Sequence, residues 1–325
     1  MSHPAGRTRP EAASGASHEG RVVVENLTKR FGPVLAVDGL TFSVEPGRVT
    51  GFLGPNGAGK TTTLRMLLGL ISPTAGTASI GGRPYRGIRG PQQLVGSVLE
   101  ASDVHPGRSG RNHLRVLAPT AGADDRRVDE LLELVGLTGA ARRRAGGYSL
   151  GMRQRLGLAA ALLGNPRVLL LDEPSNGLDP EGIRWLRGFL RQLAGEGRTV
   201  LVSSHVLSEV QQTVDDVVII ARGQLVQSTT LAELEAHSRR LVRVVTPDVA
   251  ALHAALLAAG LAPERLPGEP AVIVVDAEPA AVGHVAHTSG VELHELSRTG
   301  RSLEDVFLDL TGDRPVTDVT TAGTT

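Results

Sequence analysis

A strand, a glycine-rich loop and a helix follow one another between residues 49 and 70, and they constrain the fold most strongly. Val49–Leu53 is almost entirely apolar, which predicts a buried strand. The next eight residues, Gly54–Thr61, read GPNGAGKT and match the pattern G-x-x-x-x-G-K-[ST] at each specified position. In Thr61–Leu70, the leucines at 64, 67 and 68 share one face of a predicted helix. The loop therefore joins the end of a strand to the start of a helix.

Such a loop has the geometry that binds di- and triphosphates. Its successive backbone N–H groups point inward, and the helix N-terminus adds partial positive charge that attracts phosphate oxygens. The pattern assigns Lys60 to the β- and γ-phosphates and the Thr61 hydroxyl to Mg²⁺. A plain glycine-rich turn is the alternative interpretation, and the flanking strand and helix disfavour it. The residues predicted to bind a nucleoside triphosphate are Gly54, Pro55, Asn56, Gly57, Ala58, Gly59, Lys60, Thr61 and Thr62.

A second strand end carries two carboxylates. Val168–Leu171 is a run of four apolar residues, and Asp172 and Glu173 follow it directly. The first carboxylate at such a strand end can hold Mg²⁺, and the second can orient and deprotonate an attacking water. The alternative is a strand end with two solvated acids. Together with the phosphate loop, this pair predicts hydrolysis of the triphosphate, with Glu173 as the base.

Composition excludes several other classes of protein. Hydrophobic residues make up 41% of the 325, and the longest apolar runs, such as Val217–Ala221, have the length of a strand. No run approaches the roughly 18 apolar residues of a membrane span, and residues 1–20 lack the apolar centre of a signal peptide. The absence of cysteine excludes disulfides and cysteine-ligated zinc. Zero formal net charge and 2% aromatic residues argue against a nucleic-acid partner.

The order of predicted elements indicates an α/β fold. Short strands are expected first, then helices over residues 108–164, and then alternating strands and helices, which imply a parallel sheet with helices on both faces. Predicted helices include Asp124–Val135, Ser149–Leu163, Ile183–Ala194 and Ser208–Thr213, and predicted strands include Thr199–Ser203, Asp216–Ala221 and Val291–Leu296.

Changes in this pattern predict the domain boundaries. Residues 1–20 are rich in Ala, Gly, Ser and Pro and are expected to be disordered. An α/β domain is predicted at 21–230, with a helical part at about 101–164. A separate accessory α+β domain is predicted at 239–312, and the Thr-rich tail at 313–325 is expected to be disordered.

Between the two phosphate-site elements lies a segment that resembles one family specifically. Tyr148–Gln154 reads YSLGMRQ, and with the phosphate loop and the acidic pair it resembles the ATP-binding subunit of an ABC transporter. In that family a Ser-x-Gly signature opens a helix that caps the γ-phosphate bound by the other subunit, which assigns Ser149 and Gly151 to nucleotide. Leu150 and Met152 depart from the commonest signature, where Gly and Gln stand. By itself, Ser149 reads as an ordinary helix N-cap.

The rest of the family pattern follows in order over 21–226. Phe31 matches the aromatic residue that stacks on adenine, although alone it would be read as core. Asn176–Pro180 resembles the loop that communicates across the dimer, which assigns Asp179 to the nucleotide site; the alternative is a plain turn. His205, after the strand Thr199–Ser203, matches the histidine that contacts the γ-phosphate. The resemblance implies a P-loop NTPase-type nucleotide-binding domain with a mixed sheet and a helical subdomain.

Glu100 is a further departure from the family pattern. The family usually places glutamine there, at the end of the strand that leads to the helical subdomain, where it contacts Mg²⁺ and water. Glutamate at this position, the Ser-Leu-Gly-Met signature and the segment Ser302–Leu310 resemble bacterial drug and antibiotic-peptide exporters. The resemblance therefore implies a Mg²⁺ site formed by Thr61, Asp172 and Glu100. A solvated residue at a loop start is the alternative interpretation of Glu100.

The resemblance implies an ATPase that uses ATP and Mg²⁺ and works in pairs. Two copies, or this chain and a paralogue, are expected to close on ATP, with Glu173 activating water and His205 supporting it. The expected partner is an integral membrane permease that exports a drug, an antibiotic or another amphipathic compound. The chain is then expected in the cytoplasm, peripheral on the inner face of the membrane. A non-transport regulatory or nucleotide-sensing ATPase is the alternative.

Overall fold

A computed structural model describes residues 19–99, 104–236, 241–265, 269, 271–298 and 303–312. The chain divides into two units, with the division between Leu231 and Ala232. Three predictions concern residues that lie wholly or mostly outside this description: disorder at 1–20, of which only 19 and 20 are described, disorder at 313–325, and the Mg²⁺ ligand Glu100. Within the described ranges, no helix is long and apolar enough to cross a membrane.

A six-stranded mixed sheet forms the centre of the first unit. Its strands, in spatial order, are β5 (Val95–Val98), β6 (Val168–Leu171), β7 (Thr199–Ser204), β3 (Val49–Leu53), β8 (Asp216–Ala221) and β9 (Gln224–Thr230). The first five run parallel, and β9 pairs antiparallel with β8. Every residue of β3, β6 and β7 is buried, as expected for central strands covered on both faces. The carboxyl ends of these three neighbours therefore meet at one edge of the sheet.

A smaller antiparallel sheet packs against the central one. It contains β1 (Val22–Phe31), β2 (Val34–Val44) and β4 (Ala75–Ile80), with β1 in the middle. Phe42 of β2 stacks on Phe52 of β3, with ring centroids 5.3 Å apart. The two rings belong to one buried cluster that includes residues of both sheets. Apolar burial therefore fixes the β1–β2 hairpin against the strand that leads into the phosphate loop.

Among the described residues, four helices of the first unit begin after residues with capping side chains. The helices of this unit are α1 (Lys60–Leu67), α2 (Gly110–Ala121), α3 (Asp125–Leu134), α4 (Leu150–Ala161), α5 (Pro180–Gly195), α6 (Leu207–Val210) and α7 (Leu231–Ala236), which crosses the division between the units. The side chains of Ser109, Asp124, Ser149 and Asp179 each accept a hydrogen bond from the backbone N–H three residues on. α5 begins three residues before the predicted Ile183, because Asp179 caps it and Pro180 starts it. The predicted helix Ser208–Thr213 is a single turn instead.

The second unit has a β-α-β-β-α-β order. Its elements are β10 (Leu241–Val245), α8 (Val249–Ala258), β11 (Pro263–Arg265), β12 (Val272–Asp276), α9 (Pro279–Thr288), β13 (Glu295–Arg298) and α10 (Leu303–Thr311). The strands form an antiparallel sheet in the order β11-β12-β10-β13, the ferredoxin-like arrangement. The predicted strand Val291–Leu296 is wrong in its bounds. Val291 and Leu293 pack against the buried cluster from the connection, so their apolar pattern reflects packing and not strand pairing.

Candidate active site

Three neighbouring strands deliver the predicted catalytic groups to one edge of the sheet. β3 leads through the phosphate loop into α1, β6 leads into Asp172 and Glu173, and β7 ends at Ser204, directly before His205. The spatial order β6-β7-β3 places these three ends side by side. Ligands of open α/β sheets bind at this edge.

The phosphate loop has a backbone that only glycine allows. Gly57 and Gly59 have φ of +80° and +103°, conformations that other residues rarely adopt. A Cβ on Gly59 would lie 2.7 Å from the carbonyl oxygen of Ala36 in β2. A Cβ on Gly54 would overlap the carbonyl oxygen of Ile220 in β8. The loop is therefore held between the hairpin and the central sheet, which fixes the direction of its N–H groups.

The Lys60 ammonium lies inside this loop. Its side chain is 6% exposed, and Nζ donates to the carbonyl oxygens of Gly54 at 2.6 Å and Pro55 at 3.2 Å. Nζ also lies 3.4 Å from Oε1 of Glu173. A buried ammonium with these partners is a fixed positive charge between the loop and the acidic strand end, where phosphate oxygens are expected.

Asp172 accepts hydrogen bonds from the first turn of α1 and from the end of β7. Thr61 Oγ1 donates to Oδ2 at 2.7 Å, and the Ser203 hydroxyl donates to Oδ1. Asp172 is buried, so these bonds fix its carboxylate. A hydroxyl beside a carboxylate is an oxygen donor set that fits Mg²⁺, which prefers one or two protein ligands together with phosphates and water. The described residues contain no cluster of three or more His, Cys, Asp or Glu that forms a complete protein cage.

Glu173 has the surroundings expected of a general base. Its φ is +48°, which is uncommon for a residue other than glycine. Its backbone N–H donates to Ser203 Oγ at 2.9 Å, and its Oε2 lies 2.9 Å from Nδ1 of His205. The carboxylate thus lies between Lys60 and His205, and its side chain is 18% exposed, so a water molecule can reach it.

The predicted signature residues Ser149 and Gly151 lie at the start of α4. Ser149 Oγ accepts from the N–H of Met152 at 3.2 Å and so acts as the N-cap of α4. A Cβ on Gly151 would contact Leu178 at 3.4 Å, and one on Gly177 would overlap the Leu150 side chain. These contacts join the start of α4 to the segment that begins after Glu173. Asp179, predicted at the nucleotide site, accepts from the N–H of Gly182 at 2.7 Å as the cap of α5.

Phe31 lies at the tip of the β1–β2 hairpin, where its pair in β2 is Val34. It is 46% exposed, so its ring is available for stacking and is not a core residue. The structure therefore groups Lys60, Thr61, Asp172, Glu173 and His205 in one site. Phe31 lies on the hairpin that packs against the loop, and Ser149, Gly151 and Asp179 lie around the start of α4.

Two residues with contacts to this site have no counterpart among the sequence-based predictions. Ser203 is fully buried and holds both Asp172 and Glu173. Gln154 is 3% exposed, and its Nε2 donates to the carbonyl oxygen of Pro174 at 2.8 Å. Small polar residues at the end of an apolar strand, as in Thr-Val-Leu-Val-Ser-Ser, were the available signal for Ser203. For Gln154, the signal was a polar residue on the buried face of a helix.

Comparison with known proteins identifies one family over the first unit. Residues 37–176 match the ABC transporter family, and residues 239–304 match a domain of unknown function. The chain is 42% identical to the bacitracin transport ATP-binding protein BcrA of Bacillus licheniformis over 226 residues, which cover 69% of this chain and 74% of that protein. It is 38% identical to the Nod factor export ATP-binding protein I of Burkholderia lata over 295 residues, 88% of this chain and 95% of that protein.

A solved structure described as the ATP-binding subunit of an ABC transporter has the same fold. It superposes with a TM-score of 0.60 at 27% sequence identity, over 66% of this chain and 92% of that one. The similarity to BcrA covers about as much of the chain as the structural match, whereas the similarity to the Nod factor export protein also extends over most of the second unit.

Proposed function

This chain belongs to the ATP-binding subunits of ABC transporters, and we propose that it powers a membrane permease that exports an antibiotic, a drug or another amphipathic compound. ABC ATP-binding subunits bind and hydrolyse ATP, and that activity is the premise of the mechanism below. The observation that carries the proposal is the convergence of Lys60, Thr61, Asp172, Glu173 and His205 at three adjacent strand ends.

At this site each group has a separate task. Lys60 and the N–H groups of the loop bind the β- and γ-phosphates. Thr61 and Asp172 would hold Mg²⁺, with Glu100 as a further predicted ligand, and the ion would neutralise charge on the phosphate oxygens. Glu173 accepts a proton from the attacking water. His205, 2.9 Å from the Glu173 carboxylate, orients that carboxylate and faces the γ-phosphate.

Closure requires a second ATP-binding subunit. Ser149 and Gly151 lie at the N-terminus of α4, where free N–H groups and the helix dipole favour a phosphate. In the proposed dimer they close over the γ-phosphate bound by the other subunit, and Asp179 lies at the same boundary. ATP binding favours the closed state and hydrolysis returns the pair to the open state. The second subunit is either another copy of this chain or a paralogue.

The closure acts on the permease, and the helical region that includes α2 and α3 is the proposed docking surface. Transport is favoured because the relatives named above are described as a bacitracin transport protein and a Nod factor export protein, and the second name favours export. The two names specify different compounds, so in this proposal the permease selects the cargo. The chain then lies in the cytoplasm, peripheral on the inner face of the membrane.

Glu173→Gln tests the mechanism. The amide cannot take a proton from water, whereas the bonds from Lys60 to Gly54 and Pro55 do not involve Glu173. We expect ATP binding to be retained, phosphate release to fall at least a hundredfold, and light scattering in saturating ATP to give twice the 34.0 kDa of one chain. Glu181→Gln, an exposed change in the first turn of α5, is the matched control.

Phosphate release by the Gln variant near the wild-type rate would refute the role of Glu173. A monomer in saturating ATP would refute closure between copies of this chain. Co-purification of the wild-type chain from bacterial membranes then tests the permease, because a membrane protein must accompany it if the transport proposal holds.

A further inference from the structure

Lys29 lies over the ring of Phe31. The two side chains are two residues apart on β1, so they lie on the same face of the strand. The Lys29 ammonium is 4.9 Å from the centroid of the Phe31 ring, within the range of a cation–π interaction. It also donates to the carbonyl oxygen of Ser72 at 2.8 Å. The ammonium is therefore anchored on the loop after α1 and covers one face of the ring.

The hairpin register places this pair above the phosphate loop. Lys29 pairs with Val37 of β2, and Phe31 pairs with Val34 at the tip. A Cβ on Gly59 of the loop would lie 3.1 Å from the Val37 side chain, in addition to its contact with Ala36. The part of the hairpin at Lys29 and Val37 is thus in contact with the loop. Phe31 lies two residues further along β1 and is 46% exposed, so the face of its ring that Lys29 leaves uncovered is open to a ligand.

The amino-acid choice at position 29 is unusual for this chain. Of the 34 basic residues, all but Lys29 and Lys60 are arginine, and Lys60 lies in the phosphate loop. An ammonium is a compact charge with three donors, so it can bond a carbonyl and stay over a ring at once. A guanidinium is planar and stacks flat over a larger area. Position 29 thus carries the basic group that fits both contacts.

We propose that Lys29 is a positioning residue for the nucleotide base. It fixes the Phe31 ring from one face, so that the adenine of ATP stacks on the other face. This inference rests on the proposed ATPase function and adds a residue to its base site. Lys29 acts through Phe31 and has no direct contact with phosphate.

The test is a cycle of variants at the two positions. Lys29→Met keeps the length of the side chain and removes the charge, and a cation–π contact at an exposed ring predicts a KM for ATP about two- to fivefold higher with kcat unchanged. Lys29→Arg keeps a cation over the ring but replaces the compact ammonium that also bonds Ser72, so its KM is expected to lie between those of wild type and Lys29→Met. Phe31→Ala removes the stacking surface and is expected to raise KM by about tenfold or more. In the Phe31→Ala background, Lys29→Met must produce no further rise.

Arg30→Met is the matched control. Arg30 is exposed, loses the same charge, and donates to the carbonyl oxygen of Pro33 instead of facing the ring. Its KM is expected to stay within about 1.5-fold of wild type, since an exposed charge has a small, screened effect. Thermal unfolding of each variant verifies that the fold is retained.

Inorganic tripolyphosphate, which has no base, provides the second measurement. As a competitor of ATP it occupies the phosphate loop, so its inhibition constant must be the same in wild type and Lys29→Met. A change in that constant would assign Lys29 to the phosphates and overturn the proposal. Three other results would also overturn the proposal. They are a rise in KM from Lys29→Met that persists in the Phe31→Ala background, an equal rise from Arg30→Met, and an unchanged KM for Lys29→Met. Failure of the ATPase proposal is distinguishable, because the wild-type chain would then release no phosphate.

Discussion

Ser203→Ala tests a hydroxyl that bonds both the Asp172 carboxylate and the backbone N–H of Glu173. Ser203 donates to Asp172 Oδ1 and accepts from the N–H of Glu173 at 2.9 Å. It is fully buried, so neither partner regains a bond to bulk solvent at that position. Alanine fits the strand and removes the hydroxyl alone. The variant therefore separates the positioning of the carboxylates from their chemistry.

The two lost bonds set the size of the effect. A hydrogen bond to a charged group is worth about 1.5–3 kcal/mol, and an unpaired buried N–H costs about 1–3 kcal/mol. Thr61 still holds the other oxygen of Asp172, and Glu173 is partly exposed, so relaxation recovers part of this sum. We expect about 2 kcal/mol less stabilisation of the transition state, which corresponds to a roughly 30-fold lower kcat. KM for ATP should change much less, because Lys60 and the loop are untouched.

Phosphate release over a range of ATP concentrations gives kcat and KM, and denaturant unfolding verifies the fold. Ser204→Ala is the matched control: Ser204 is the next residue of β7, is fully buried too, and its hydroxyl bonds the backbone of Val206. The substitution leaves the backbone bond from Gly54 to Ser204 in place. Its kcat should stay within about threefold of wild type. Equal kcat values for the two variants, or a loss in KM alone for Ser203→Ala, would refute the reasoning.

Two further predictions concern the helical region. Gln154→Met removes the 2.8 Å bond to the Pro174 carbonyl oxygen without a large change in side-chain volume. We expect kcat, measured by single-turnover hydrolysis, to be about tenfold lower, and ATP affinity, measured by titration, to be retained. Equal losses in kcat and in ATP affinity would contradict a positioning role. Burial lowers the pKa of His113 below its ordinary value of 6.5, with smaller contributions from Arg108 and His105. The unfolded chain therefore takes up the proton first, so His113 makes the wild type lose stability as pH falls below about 6.5. His113→Leu should flatten this loss in urea unfolding between pH 7 and 5.5, and an unchanged slope would exclude His113 as its source.

The residues that we expect to contact phosphate could be picked out of the sequence because their spacing is local. Eight consecutive residues specify the loop around Lys60, and the apolar run before Asp172 and Glu173 specifies their strand end. The resemblance to ABC ATP-binding subunits, the α/β fold and the ATPase function are confirmed by the family match and the solved structure. The residue roles remain predictions, which the variants above test.

The sequence did not assign roles to Ser203 and Lys29, because the roles argued for them depend on pairing between distant segments. Ser203 reaches Asp172 and Glu173 only because β7 lies between β6 and β3, and no local sequence pattern predicts that strand order. Lys29 depends on the hairpin register and on Ser72, 43 residues away. In the second unit, the apolar residues before β13 pack on the core without pairing, so alternation alone misplaced the strand.

The backbone conformation of Glu173 explains how two adjacent carboxylates can enter one site. In an extended strand, successive side chains point to opposite faces, so Asp172 and Glu173 could not both enter one site. The left-handed φ of Glu173 breaks this alternation: Asp172 bonds Thr61, and Glu173 lies between Lys60 and His205. This conformation costs about 1–2 kcal/mol. Two hydrogen bonds to the Glu173 backbone offset that cost. Its N–H donates to the Ser203 hydroxyl, and its carbonyl oxygen accepts from the N–H of Asn176. Both bonds require Glu173 to keep its left-handed conformation. The backbone strain therefore lies at Glu173, where two adjacent carboxylates are proposed to serve different functions, Asp172 with Mg²⁺ and Glu173 with water.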